Sequence, residues 1–116
     1  MIVRRLVRDD GGALVAEVEM ATGVWQRFMG LMGRRSLEPG HGLYLSPCSS
    51  IHMFFMRFAL DAVFLDKEGT VLRIYAGLKP WRLTRVVRKA KACVELPAGT
   101  AATLGIQAGE RLRLLP

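Results

Sequence analysis

The stretch Met53-Phe54-Phe55-Met56-Arg57-Phe58-Ala59-Leu60-Asp61-Ala62-Val63-Phe64-Leu65-Asp66 carries the fold assignment. It is apolar and aromatic at almost every position, with only Arg57 and Asp61 charged between 53 and 65. A run without polar alternation reads as strand buried on both faces, so 53–58 and 60–66 are expected to be two central strands. The turn Asp66-Lys67-Glu68-Gly69 leads out of it into a further strand at about 70–77.

Upstream, residues 2–8 and 13–18 read as strands joined through Asp9-Asp10-Gly11-Gly12, strong turn chemistry that makes a hairpin. Thr22 is expected to cap a helix. Behind it Val24, Trp25, Phe28, Met29, Leu31 and Met32 recur at helical spacing, and Gly33 is the natural stop. Gly30 interrupts that helix at a cost of up to ~1 kcal/mol relative to alanine, which a close backbone approach or a short helix would explain. A loop over 36–42 leads to a strand at 42–46. Further strands are expected at 92–96, stopped by Pro97, and at 111–115, with one helical turn at 99–104 capped by Thr100. The expected architecture is α+β and mostly β. It is one compact domain over 1–116, an antiparallel, curled or barrel-like sheet of about eight short strands with one main helix near 22–33.

Charge is distributed unevenly. The chain of 116 residues has 17 Lys+Arg against 10 Asp+Glu, a formal net charge of +7. Between Glu68 and Glu95 there is no acid, and seven bases: Arg73, Lys79, Arg82, Arg85, Arg88, Lys89 and Lys91. The rest of the chain is charge-balanced. That excludes a uniformly basic surface, and 51% hydrophobic residues exclude a disordered tail. On a helical wheel Leu83, Val86, Val87 and Ala90 gather on one side of 79–91, and the bases, with Trp81, on the other. Pro80 suits a helix entry. Its plain reading is an amphipathic segment covering the core with a solvated basic face. The functional reading assigns Lys79, Trp81, Arg82, Arg85, Arg88, Lys89 and Lys91 to a polyanion: single-stranded nucleic acid, an acidic protein or an anionic membrane surface.

Several phrases in order, Arg27-Phe28-Met29-Gly30-Leu31-Met32, Gly42-Leu43-Tyr44-Leu45, Cys48-Ser49-Ser50-Ile51-His52, 56–66 and Val94-Glu95-Leu96-Pro97-Ala98-Gly99, carry a resemblance over about 10–115. The chain resembles the domain-of-unknown-function family 192, small prokaryotic proteins without an assigned reaction. The resemblance implies a compact β-rich domain, and through 79–91 an irregular connection more than a helix. Where the family leads to an expectation of proline before Leu60-Asp61, this chain has Ala59.

Two further constellations concern chemistry. An ionised side chain is costly to bury alone, so Arg57 and Asp61 each need a partner. They form an ion pair that sets register, or, with His52, a pocket for a small anionic ligand, or both simply reach solvent. In one straight strand they would stand about 13 Å apart, so a bend is required. His41, Cys48, His52 and Cys93 have the count but not the spacing of a zinc site. Met29, Met32, Met53 and Met56 read as core filling more than as soft copper(I) ligands. Cys48 and Cys93, far apart in the chain, read as buried reduced thiols, a bridge between them needing an oxidising compartment. No catalytic motif, metal site or cofactor is expected. The N-terminus lacks a signal-peptide pattern and no run reaches a membrane span, so a cytoplasmic location is expected. The leading functional expectation is a non-catalytic binding or accessory domain working through 79–91. The alternative is a small enzyme or anionic-ligand binder near His52, Arg57 and Asp61.

Overall fold

The computed structural model describes residues 2–116. Seven strands form one sheet: β1 (Val3–Arg8), β2 (Leu14–Ala21), β3 (His41–Leu45), β4 (Leu60–Leu65), β5 (Val71–Leu78), β6 (Ala92–Pro97) and β7 (Leu112–Leu114). Two short helices, α1 (Val24–Met29) and α2 (Thr100–Leu104), complete the described elements. The strand order is β5-β4-β6-β3-β2-β1-β7. The sheet is mixed: β2 and β3 run parallel, because residues 22–40 carry the chain over one face before it re-enters the sheet. The expectation of an antiparallel sheet of about eight strands is corrected: the sheet has seven strands, and one of its pairings is parallel.

The sheet curls without closing. Its edge strands β5 and β7 meet at their starts through the bridge Thr70–Arg111, where Val71 N donates to Glu110 O and Gly109 N to Val71 O, each at 2.8 Å. Gly69, at φ 85°, makes that approach. Its backbone lies so close to Leu112 O that a Cβ would collide with it, and Leu112 N donates to Gly69 O at 2.9 Å.

Strand β4 is buried at all six positions, as its uninterrupted apolar run implies. Val63 and Leu65 join Leu6, Val18, Val94 and Leu112 in one apolar cluster. Leu60, Ala62 and Phe64 join Leu43, Leu45, Met53 and Met56 in a second cluster on the opposite face. Alternate residues of β6 divide the same way, Val94 and Leu96 to the first cluster and Cys93 to the second.

Residues 53–58 are not a strand. The chain turns at Phe54-Phe55, with Phe55 at φ 62° and Met56 N donating to Met53 O at 3.3 Å. Met53 and Met56 are buried while Phe54 and Phe55 face outward. The run is apolar on both sides because one side is core and the other an exposed aromatic surface. Residues 79–91 are not a helix either. Thr84 N donates to Ile51 O at 3.0 Å, Met53 N to Arg82 O at 2.7 Å and Val87 N to Ser49 O at 2.7 Å. The segment is an irregular connection laid along 49–53, as the family resemblance implies.

Helix α1 is shorter than the 22–33 expected. Gly23, not Thr22, is its N-cap, and the Gln26 side chain reaches back to accept from the Thr22 and Gly23 N–H groups. Gly30 ends it. Gly99, at φ 91°, rather than Thr100, caps α2.

Asp61 is fully buried, and its carboxylate replaces the missing cap of α2. Oδ2 accepts from Ala101 N at 2.9 Å, and Oδ1 from Gly77 N at 2.9 Å and Gly99 N at 3.2 Å. Asp61→Asn turns an acceptor into an N–H that faces other donors. Loss of about 1–3 kcal/mol of stability is expected in urea unfolding, with Asp61→Ala at least as severe. A stability unchanged by both substitutions would show that the three bonds carry no net energy.

Candidate functional site

Helix α1 buries none of its residues. The stripe read as core-facing is largely solvent-facing: Val24 is 76% exposed, Trp25 70% and Phe28 57%. The turn at 54–55 and Trp81 add to it. Neighbouring ring centroids follow one another from Trp25 to Phe28 (6.0 Å), His52 (6.2 Å), Phe54 (5.2 Å) and Trp81 (6.0 Å), with Phe55 against Trp81 at 5.0 Å. An exposed apolar ridge of this length is unusual for a surface with no contact to make. It is anchored from below: Trp81 N donates to Met53 O at 2.7 Å, and Phe54 N to His52 Nδ1 at 3.2 Å.

Trp81 joins this ridge to the 79–91 connection, which lies along 49–53. Lys79, Arg82, Arg85, Arg88, Lys89 and Lys91 are exposed, as is Trp81. Among the described residues none of them enters an ion pair; the four ion pairs found use Arg8, Arg34, Arg111 and Arg113. Arg57 is exposed too. It and Asp61, considered together in the sequence, are held apart by burial: one reaches solvent and the other is sealed under the sheet.

Beside the ridge a cleft of ≈ 420 Å³ opens between α1 and the 45–52 segment. His52 lines it, and Arg57 and Asp61 do not. Its walls include Phe28, Met29, Leu45, Ile51 and Met56, and its polar groups include Arg27, Cys48, Ser49 and Glu95. Arg27 Nη1 donates to Pro47 O at 3.0 Å, tying α1 to the opposite wall. Gly30, at φ 47°, faces the Glu95 carboxyl: a Cβ there would stand 3.9 Å from Oε1. Glu95 and Cys93 project to the same face of β6, two residues apart. Cys48 is brought beside them because its N–H donates to Lys91 O at 3.0 Å.

The sequence does not single out Glu95. Its only signal there is an acid placed in the apolar strand Ala-Cys-Val-Glu-Leu. It is 5% exposed, and Oε1 has no hydrogen-bond partner. Burial, reinforced by the nearby Cys48, pushes its pKa up to about 8. Cys48 Sγ donates to Ser50 O at 3.2 Å. The nearby Cys93 thiol, with the backbone at Ser50 and the charge of Arg27, holds the Cys48 thiol below the ordinary range against the effect of burial. Cys93, fully buried, is pushed well above it by desolvation and by the neighbouring Cys48. His41 is exposed at the start of β3, away from this group. Among the described residues no three His, Cys, Asp or Glu side chains converge as metal ligands.

The raised Glu95 pKa has a consequence for stability. The folded state holds a proton that the unfolded chain, at an ordinary carboxyl pKa of 4.5, releases. Between pH 4.5 and about 8 the unfolded state therefore binds fewer protons, and this group's contribution falls as pH rises. A tenfold difference in proton affinity between the two states corresponds to about 1.4 kcal/mol. Urea unfolding from pH 5 to 8 should show a downward slope that Glu95→Gln flattens. Parallel slopes for the two proteins would contradict the raised pKa.

The comparisons with known proteins agree with this fold. The family model described as Uncharacterized ACR, domain-of-unknown-function family 192, matches residues 5–114. A UPF0127 protein of Pyrococcus furiosus is 36% identical over 108 residues, covering 88% of this chain and 90% of the relative. One of Pyrococcus abyssi is 34% identical over 102 residues, covering 83% and 84%. A solved Sinorhizobium meliloti 1021 structure, described as a "putative transcription regulator", superimposes with a TM-score of 0.82 at 30% identity, covering 97% of this chain and 92% of the other. A Novosphingobium aromaticivorans protein of unknown function shares the fold, with a TM-score of 0.83 at 23% identity over 97% and 84%. With its strands, its phrases and nearly its whole length accounted for, this chain belongs to the uncharacterised domain-of-unknown-function family 192.

Proposed function

We propose that this chain is a binding domain for single-stranded nucleic acid, with the ridge from Trp25 to Trp81 as its stacking platform. The observation that carries the reading is the run of neighbouring rings at centroid separations of 5.0–6.2 Å, exposed except for half-buried His52, ending in Trp81 of the connection that holds six exposed bases. Bases offer a π-face whatever their sequence, and each stack is worth about 1–3 kcal/mol. Arg82, Arg85 and the neighbouring Arg57 and Arg27 supply the cations that a phosphate backbone requires. Thirteen of the 17 bases are arginine, whose planar fork suits bidentate phosphate contact. An acidic protein would satisfy the cations equally but leave the five aromatic side chains without matching flat partners. The Sinorhizobium meliloti protein's description as a transcription regulator points the same way.

The test is fluorescence anisotropy with labelled single-stranded oligonucleotides over a salt series, with Trp25 and Trp81 emission as a second readout. Affinity should fall with salt, by a log–log slope of about 0.7 per phosphate contacted. Arg82→Ala with Arg85→Ala should lower that slope by about 1.4 if each meets one phosphate. Trp81→Ala should weaken binding roughly tenfold to a hundredfold and leave the slope nearly unchanged. No binding near 50 mM salt, or an affinity independent of salt, sinks the reading. Equal affinity for polyglutamate with the same dependence on Trp81 would transfer the surface to an acidic partner.

A further inference from the structure

The cleft contains a group of side chains for which the aromatic ridge has no use. Cys48 stands in its wall, partly accessible. Cys93, fully buried, is its neighbour from β6: Cys48 N donates to Lys91 O at 3.0 Å and Leu45 pairs with Cys93. Glu95, two residues farther along β6, lines the same cleft with Oε1 unpartnered. A buried carboxyl oxygen without a partner calls for an explanation, since most such groups are satisfied. Apolar packing would be better served by almost any other residue at position 95. The missing Cβ of Gly30 leaves the space before this carboxyl open.

We propose that Cys48, Cys93 and Glu95 form a peroxide-reactive dithiol site, in which a small hydroperoxide enters the cleft and converts the two thiols to a Cys48–Cys93 disulfide. The Cys48 thiolate attacks the terminal oxygen of R–O–OH. An S–O bond forms, the O–O bond breaks, and its electron pair leaves with the RO group. Glu95 donates the proton that makes this ROH. Cys48 is now a sulfenic acid, oxidised by two electrons, and the peroxide is reduced by two. The Cys93 sulfur then attacks the Cys48 sulfur; an S–S bond forms, the S–O bond breaks, and hydroxide takes the Cys93 proton to leave as water. Glu95 recovers its proton from solvent, and an external thiol resets the pair.

The environment separates the three roles. Only Cys48 has both access and a lowered thiol pKa, so it is the nucleophile. Cys93 is out of reach of solvent and held protonated, which suits a resolving thiol that acts only after its neighbour has been oxidised. Glu95 keeps its proton at neutral pH because it is buried, and neighbouring groups with opposed shifts are the arrangement expected of a nucleophile and its acid. Arg27 adds positive charge on the cleft's other wall. This site does not depend on the nucleic-acid surface, although Arg27, Phe28 and His52 serve both.

The test treats the reduced protein with hydrogen peroxide or an organic hydroperoxide in the presence of a chelator. Wild type should lose both thiols and give a 48–93 disulfide by non-reducing peptide mapping. Cys93→Ser should instead accumulate a dimedone-trapped sulfenic acid at Cys48. Glu95→Gln should slow peroxide consumption on the order of tenfold to a hundredfold, the range of general-acid assistance. Its alkylation by iodoacetamide, whose leaving group needs no proton, should change far less. Cys48 reacting no faster than free cysteine, a wild type that yields only sulfinic acid, or equal slowing of peroxide and iodoacetamide in Glu95→Gln would each overturn the proposal. Unchanged oligonucleotide binding alongside any of these results would leave the nucleic-acid reading standing.

Discussion

The carboxylate of Asp61 holds together three parts of the chain that no strand ladder joins. From β4, next to the edge strand β5, it accepts N–H groups of Gly77 near the end of β5, Gly99 after β6 and Ala101 at the start of α2. Each of these donors would otherwise be an orphan near a helix start or a strand end. An acid in the most buried strand is tolerated because the polypeptide itself supplies its counter-groups, so no cation is needed beside it. The neighbouring Arg57 is thereby left free to face solvent. With β4 held on both faces and by its one acid, β6 can pair along its whole length, and β6 carries Glu95 to the cleft.

The two candidate sites share one origin. The chain between β3 and β4 leaves the sheet, turns at Phe54-Phe55, and is held by the equally irregular 79–91 connection lying alongside it. Apart from His52–Leu83 the two segments form no strand pairing. Their backbone bonds instead keep rings outward on one side and define the cleft wall on the other. The excess charge of the molecule lies largely in that second connection. The strands form a charge-balanced scaffold, and the segment carrying the surplus is the one free of ladder constraints.

Much of the strand pattern was legible. Period-2 burial, the turn residues at 9–12 and 66–69 and the unbroken apolar run of β4 placed all seven strands to within a few residues. The errors have a common cause. Apolar periodicity reports that a side chain avoids water in one arrangement or another, but not whether protein or solvent lies opposite. Val24, Trp25 and Phe28 have helical spacing and line no core; Phe54 and Phe55 sit in an apolar run that is a turn. The parallel β2–β3 pair was missed because a hydrophobic pattern is the same for either direction of approach. Glu95 escaped notice because one acid inside a strand carries no mark of the partner it lacks.

By itself, the sequence determined the family, the β-rich class, the buried strand at 60–65 and the confinement of the net charge to 69–94. These depend on local composition and order, which short-range sterics and burial translate directly into strands and turns. Only the tertiary structure decided that Asp61 is spent on backbone donors and that Trp25, Phe28, Phe54 and Trp81 align in one ridge. It alone placed Cys48 and Glu95 in the wall of one cleft, with Cys93 buried beside them. Such meetings join residues tens of positions apart, and they follow from strand order and crossover path, which no local pattern encodes.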